Sequence, residues 1–133
     1  MIAGVVDTHA ALWYLLRHPR LSVTARTFID DAAAAGNDIL LSPISLAELV
    51  YLTEKDRLPV SAYDELKEAL ENHEHVLEEA PFHSGIVEAM RLVPRDAVLD
   101  MPDRIVAATA VYFGVPVISR DGKIRASNVE CIW

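Results

Sequence analysis

Short aliphatic runs that stop at a polar residue and pass straight into a helix recur along this chain, and few folds accommodate them. Ile2–Val6 is apolar and rich in β-branched residues, the pattern of a buried strand; it stops at Asp7-Thr8, and Ala10–Leu16 reads as a helix. Asp38–Leu41 is a second such run. Ser42-Pro43 then opens a helix to about Lys55, with proline at the first helical position, where its missing N–H costs nothing. Val115–Ser119 is another run, followed by a turn at Asp121-Gly122 and a short helix.

The intervening segments fit the same alternation. Pro19 ends the first helix, and Ser22 starts another that Gly36 closes. Ser61 caps a polar amphipathic helix to about Asn72, His75–Leu77 is a third strand, and Phe82–Leu92 is helical. Met101-Pro102 begins an alanine-rich helix that Gly114 ends after Phe113, and Glu130–Trp133 is a final edge strand. Strands alternating with helices indicate an α/β fold with a parallel sheet covered on both faces. In such a sheet, ligands bind outside the carboxyl ends of the strands.

The 133 residues suffice for one domain, 1–133, with its own core, and no linker or repeat divides them. Charge interrupts every apolar stretch well short of the ~20 residues of a membrane span. The N-terminus has no basic region of the kind a signal peptide carries. The single cysteine, Cys131, has no internal partner and is expected in the core; a cytoplasmic protein suits this composition. A net charge of −8 argues against nucleic acid, unless bound cations neutralise clustered carboxylates or a basic partner covers part of the surface.

Acidic residues stand where strands end and helices begin. Asp7 follows the first strand, Glu48 lies a turn into the helix after the second, Asp100 and Asp103 start the alanine-rich helix, and Asp121 follows Val115–Ser119. All should fall on one rim of the sheet. Each also has a local explanation. Asp7 and Asp100 can cap helices, Asp103 suits the helix dipole, Ser45-x-x-Glu48 is formally a capping box, and Asp121-Gly122 is an ordinary turn. Glu48 fits its local explanation worst. A helix starting at Ser42-Pro43 puts it in the interior, beside Ile44, Ser45, Tyr51 and Leu52, where a carboxylate needs a partner.

Carboxylates crowded on one rim resist full ionisation, and a divalent cation removes the conflict. Hard oxygen donors without a His or Cys cluster suit magnesium, or manganese, rather than zinc. His73-x-His75 lacks a third ligand nearby and is expected to be exposed. Read from the residues alone, the acids point to metal-assisted phosphoryl chemistry and do not specify RNA.

Four segments carry a resemblance. Val5-Val6-Asp7-Thr8-His9-Ala10-Ala11-Leu12-Trp13 resembles the opening of PIN-domain proteins, particularly VapC-type toxins of toxin–antitoxin pairs. Ser42–Leu49, Asp100–Ala110 and Val117–Asp121 are similar to the second, third and fourth acidic motifs of that family. The order and spacing hold from Ile2 to about Ile124.

The resemblance implies a three-layer α/β/α sandwich with a central parallel sheet and magnesium-dependent endonucleolytic cleavage of RNA. It implies that Asp7, Glu48, Asp103 and Asp121 form the acidic cluster, with Asp7 and Asp103 as direct metal ligands. Asp100 is left between holding a metal-bound water, capping its helix and pairing with Arg104. Ser119 corresponds to a hydroxyl residue beside the fourth acid, and Thr8 could orient Asp7. The implied reaction is in-line attack on a phosphodiester by a metal-activated water. Arg104, Arg120, Lys123 and Arg125 lie near the acids in sequence and could contact phosphates, or be solvated surface charges.

The family also implies a cognate antitoxin and frequent homodimers. Trp13, Tyr14 and Tyr51 could line a groove for the antitoxin or belong to the core, and core is the simpler assignment. A phosphoacceptor domain would want paired acids after the first strand, and a dehalogenase-type phosphatase Asp-x-Asp there; His9 stands in that place. The serious rival is a PIN-like module that binds RNA or protein without cutting.

Overall fold

The computed structural model describes every residue of the chain except Leu99 and Ala126. Its centre is β1 (Ile2–Val6), flanked by β2 (Asp38–Leu41) and β4 (Val117–Ile118), with β3 (Leu77–Glu79) and β5 (Cys131–Ile132) at the edges. The order is β3-β2-β1-β4-β5 and every pairing is parallel.

A parallel sheet covered on both faces needs apolar side chains at successive positions, because neighbours point to opposite faces. Val6, Ile39, Leu41 and Ile118 enter one core, and Val5, Leu40 and Val117 enter the other. Helices α1 (Thr8–Leu15), α2 (Val23–Ala34) and α4 (Val60–Glu71) close the first face with Leu12, Ile29 and Leu66. Helices α5 (Ser84–Ala89), α6 (Met101–Phe113) and α7 (Gly122–Arg125) close the second with Ile86, Val106 and Ile124. Helix α3 (Pro43–Glu54) sends Leu49 to the first core, while its Ile44 packs against the second. Ala107, Ala108 and Ala110 of α6 are fully buried, since small side chains let this helix lie close to its neighbours. The result is the expected α/β/α sandwich. Among the described residues no helix is long and apolar enough to cross a membrane.

Boundaries differ from the sequence reading where nonlocal pairing or capping sets them. Helix α1 starts at Thr8 rather than Ala10, because Asp7 already caps it by accepting from Ala10 N at 2.9 Å. It ends at Leu15, before Pro19, and the chain turns through Arg17 at φ 52°. Helix α4 starts at Val60 after Pro59, and Ser61 lies inside it without capping it. The third strand is Leu77–Glu79, not His75–Leu77, because pairing sets Leu77 opposite Ile39. His75 is correspondingly half-buried, its Nδ1 accepting from Leu77 N at 3.0 Å, whereas His73 is exposed. Phe82–Leu92 is shorter than expected as an α-helix: His83 caps α5, and Met90–Leu92 is a 3₁₀ turn. Cys131 is half-buried and packs against the second core.

The strand order reverses between β1 and β4. The chain first builds outward from β1 through β2 to β3, then crosses to place β4 on the other side of β1. That reversal leaves a crevice beyond the carboxyl ends of β1 and β4, because their following helices depart to opposite faces.

Gly114 closes α6 in the left-handed region at φ 66°, and a Cβ there would meet nothing within 4 Å. The cost of a side chain is therefore conformational alone. Gly114→Ala should destabilise the protein by about 1 kcal/mol, read as a lower urea midpoint with an unchanged slope.

Candidate active site

The crevice between β1 and β4 opens into a pocket of about 350 Å³, with Asp7, Glu48, Asp103 and Asp121 in its walls. Four elements bring these carboxylates together. Asp7 continues the β1 ladder, its N–H donating to Ile118 O at 3.1 Å, and sits directly before α1. Glu48 lies one turn into α3, which Ser42 caps and Pro43 begins. Asp103 occupies the first turn of α6, and Asp121 follows β4.

Two hydroxyls hold two of these acids. Ser119 is fully buried; its Oγ donates to Asp7 Oδ2 at 2.5 Å and accepts from Asp121 N at 3.0 Å. Thr8 Oγ1 donates to Glu48 Oε1 at 2.6 Å. The expectation that Thr8 orients Asp7 is therefore corrected: Ser119 does that, while Thr8 turns to Glu48. The reason is geometric, since Thr8 begins a helix that α3 packs against. Thr8 also supplies the partner that an interior Glu48 requires. Ser119 joins both sides of the crevice, linking Asp7 to the backbone of Asp121.

The carboxylates strain against one another. Burial pushes the Asp7 carboxyl up, against the lowering effects of the Ser119 and Ala10 hydrogen bonds. Asp103 is pushed up to about 7, first by burial, then by the charges of Asp121 and Asp100, a hydrogen bond to Asp121, and the charge of Glu48. Such a site attracts a proton or a cation.

The donor set fits a hard divalent cation. The pocket acids offer only carboxylate oxygens, and the neighbouring hydroxyls already hold two of them. Among the described residues no three His, Cys, Asp or Glu side chains form a ready-made metal cage. Magnesium seldom uses one. It keeps several waters and commonly takes one or two protein carboxylates together with substrate phosphate oxygens.

The remaining expected residues separate. Asp100 is exposed, stands outside the pocket wall, and caps α6 by accepting from Asp103 N at 3.2 Å. Arg104 neither pairs with Asp100 nor reaches the pocket. Its guanidinium donates to Met90 O at 2.7 Å and Val93 O at 3.3 Å, tying α6 to the segment before it. Lys123 and Arg125 are exposed on α7 outside the pocket wall, and Arg120 alone of the four bases lines it. Trp13 and Tyr14 pack partly buried against the first core, whereas Tyr51 is 64% exposed and is not core.

Three lining residues were not singled out as site residues from sequence: His9, Trp13 and Arg20. His9 and Trp13 were detectable in principle, because they lie four apart on α1 and share the face that Asp7 begins. Arg20 carries no such signal. It comes from a loop whose path depends on the left-handed Arg17.

The raised Asp103 gives a pH-dependent stability. In the folded state it keeps its proton to about 7, whereas an unfolded carboxyl loses it near 3.8. The folded protein thus binds more protons between those values, and stability falls as pH rises through that window. The carboxyl is half-buried, so solvent screening leaves only about 1–2 kcal/mol of this effect. Asp103→Asn should therefore be more stable than the parent by that amount at pH 7.5 in EDTA. The advantage should vanish near pH 4, as thermal melts at the two pH values would show.

Comparison with known proteins agrees with this architecture. Residues 4–128 match the family described as the PIN domain. Ribonuclease VapC22 of Mycobacterium tuberculosis is 29% identical over 126 residues, covering 95% of this chain and 92% of the relative. Among solved structures, VapBC2 from Rickettsia felis, bound to a DNA fragment from its promoter, superposes with a TM-score of 0.69 at 18% identity. It covers 98% of this chain and 97% of its own. PAE2754 from Pyrobaculum aerophilum gives 0.59 at 19% identity, over 98% and 83% of the two chains. FitAcB from Neisseria gonorrhoeae gives 0.58 at 22%, over 96% and 95%. At these identities the structural likeness speaks to fold, and the sequence match over nearly the whole chain speaks to kinship. The chain belongs to the PIN-domain family.

Proposed function

We propose that this protein is a magnesium-dependent endoribonuclease that hydrolyses RNA phosphodiesters, and that it is the toxin of a type II toxin–antitoxin pair acting in the cytoplasm. The observation that carries the reading is the pocket at the β1/β4 crevice, lined by Asp7, Glu48, Asp103 and Asp121 in a PIN-domain chain. The kinship with a curated ribonuclease supports RNA as the substrate.

Asp7 and Asp103 would hold the cation directly, with Glu48 and Asp121 completing the acidic cluster. Manganese suits the same oxygens. A bound divalent ion supplies Lewis acidity, lowering the pKa of an attacking water and offsetting charge on phosphorus. Ser119 fixes the Asp7 carboxylate and Thr8 fixes Glu48, so neither acid has to be ordered when substrate arrives. Asp103, whose carboxyl is pushed up by burial and by the neighbouring acids, would be held in its ionised form by a bound cation. Arg20 and Arg120, on the pocket wall, meet the phosphate backbone. Asp100 contributes as the cap that sets the start of α6.

A basic antitoxin suits a chain of net charge −8, and covering the pocket would suppress cleavage. Self-association as a homodimer is consistent with exposed apolar side chains such as Tyr51, Leu92 and Met101.

A mixed RNA pool should be cut in the presence of magnesium and left intact in EDTA. Asp7→Asn and Asp103→Asn should each lower the rate by at least about 100-fold while the protein stays folded. Equal cutting by the substituted proteins would end the enzyme assignment. Binding of RNA without any cutting by the parent would favour a non-catalytic PIN-like module. Ser119→Ala should reduce the rate by about 10- to 100-fold and raise the magnesium concentration needed for half-maximal activity.

A further inference from the structure

A second cavity, of about 470 Å³, lies beside the acidic pocket and shares His9, Trp13 and Arg20 with it; His18, Arg57 and Leu58 are among its other walls. Its chemistry differs sharply from that of the acids. The Trp13 ring centroid is 5.8 Å from that of His9 and 6.0 Å from that of His18, whose plane is tilted only 27° from it. Trp133 stands 6.0 Å from Trp13 as well, and the Arg120 guanidinium lies 5.1 Å over the Trp13 ring.

The cations here are unusual for this chain. Acidic residues outnumber lysines and arginines by 20 to 12. Even so, among the described residues no carboxylate lies within 4.0 Å of Arg20, Arg57 or Arg120. Arg20 and Arg57 in the cavity wall, with Arg120 over Trp13 on the side of the acidic pocket, are set around aromatic rings and apolar side chains and suit a ligand that is flat and carries anions on either side. An unstacked nucleobase with its flanking phosphates has that chemistry. An apolar peptide segment would fill the cavity without needing the guanidinium groups.

We propose that this cavity is a base-binding subsite: it takes one unstacked nucleobase of the RNA strand, next to the phosphate held at the carboxylates. Arg20 and Arg57 hold the phosphate on the far side of that base. The proposal rests on RNA being the substrate, and it makes Trp13, His18 and Leu58 specificity-determining residues. It also explains how an acidic protein holds a polyanion, since the attraction comes from rings and a local cationic strip rather than from net charge.

Trp13 lines this cavity and Trp133, the chain's other tryptophan, stands 6.0 Å from it, so intrinsic fluorescence responds to a ligand that reaches Trp13. The test titrates the full chain, in EDTA, with a random-sequence single-stranded octaribonucleotide and with an abasic ribose-phosphate octamer of equal charge. The expected result is fluorescence quenching by the octaribonucleotide and about tenfold or more weaker binding of the abasic oligomer. His18→Ala and Leu58→Gln should shrink that difference, and Arg57→Gln should weaken both oligomers alike. Equal affinity of the parent for the two oligomers overturns the proposal, as does failure to bind either one, the outcome expected of a peptide-binding groove. Adding magnesium then separates the two readings. Base-dependent binding without cleavage would sink the nuclease assignment and leave the subsite standing; cleavage with base-independent binding would sink the subsite alone.

Discussion

Crowding of carboxylates at the carboxyl ends of β1 and β4 is the constraint around which the rest of this structure is arranged. Ionised carboxylates so close repel one another, and partial burial weakens the screening that water would provide. Asp103 bears most of the conflict, facing Asp121, Asp100 and Glu48 while partly removed from solvent. A sheet packed on both faces cannot relax by letting its strands drift apart. The acids therefore stay together, and their charge is relieved by a proton, a hydroxyl or a cation.

The fold meets this constraint with side chains that act locally and across the crevice together. Asp7 caps α1 through one oxygen and accepts from Ser119 through the other. Ser119 in turn fixes the backbone at Asp121. Asp100 caps α6 and so sets where Asp103 stands, while Arg104 anchors the same helix by bonding the carbonyls of Met90 and Val93. Capping and site formation are thus not rival explanations for these residues. A helix N-terminus favours negative charge, and beginning several helices at one rim gathers acids there.

Net charge misleads for the same reason. Eight excess negative charges on the chain argue against a polyanionic partner, but charge acts over roughly a Debye length of ~8–10 Å rather than over the whole surface. Arg20 and Arg120 stand in the same pocket wall as the four acids and, among the described residues, have no carboxylate partner within 4.0 Å, so cationic groups remain available beside the acids despite the negative average.

Local patterns were legible in the sequence because their causes are local. The aliphatic runs located β1 and β2, Ser22 and Gly36 bounded α2, Ser42-Pro43 opened α3, and Gly114 ended α6. Alternation of strands with helices was enough for a parallel sheet, and the acids could be read as lying at strand ends. Tertiary structure decided what lies far apart in the chain. Thr8 meets Glu48 across 40 positions, and Ser119 meets Asp7 across 112, both set by strand order and helix packing. Register placed the third strand at Leu77 and half-buried His75. Arg104 turned from the acids to donate to the carbonyls of Met90 and Val93, and Arg20 reached the pocket through the course of a loop. A hydrogen bond between neighbours in sequence leaves a spacing that can be read; one between distant residues leaves none until the chain has folded.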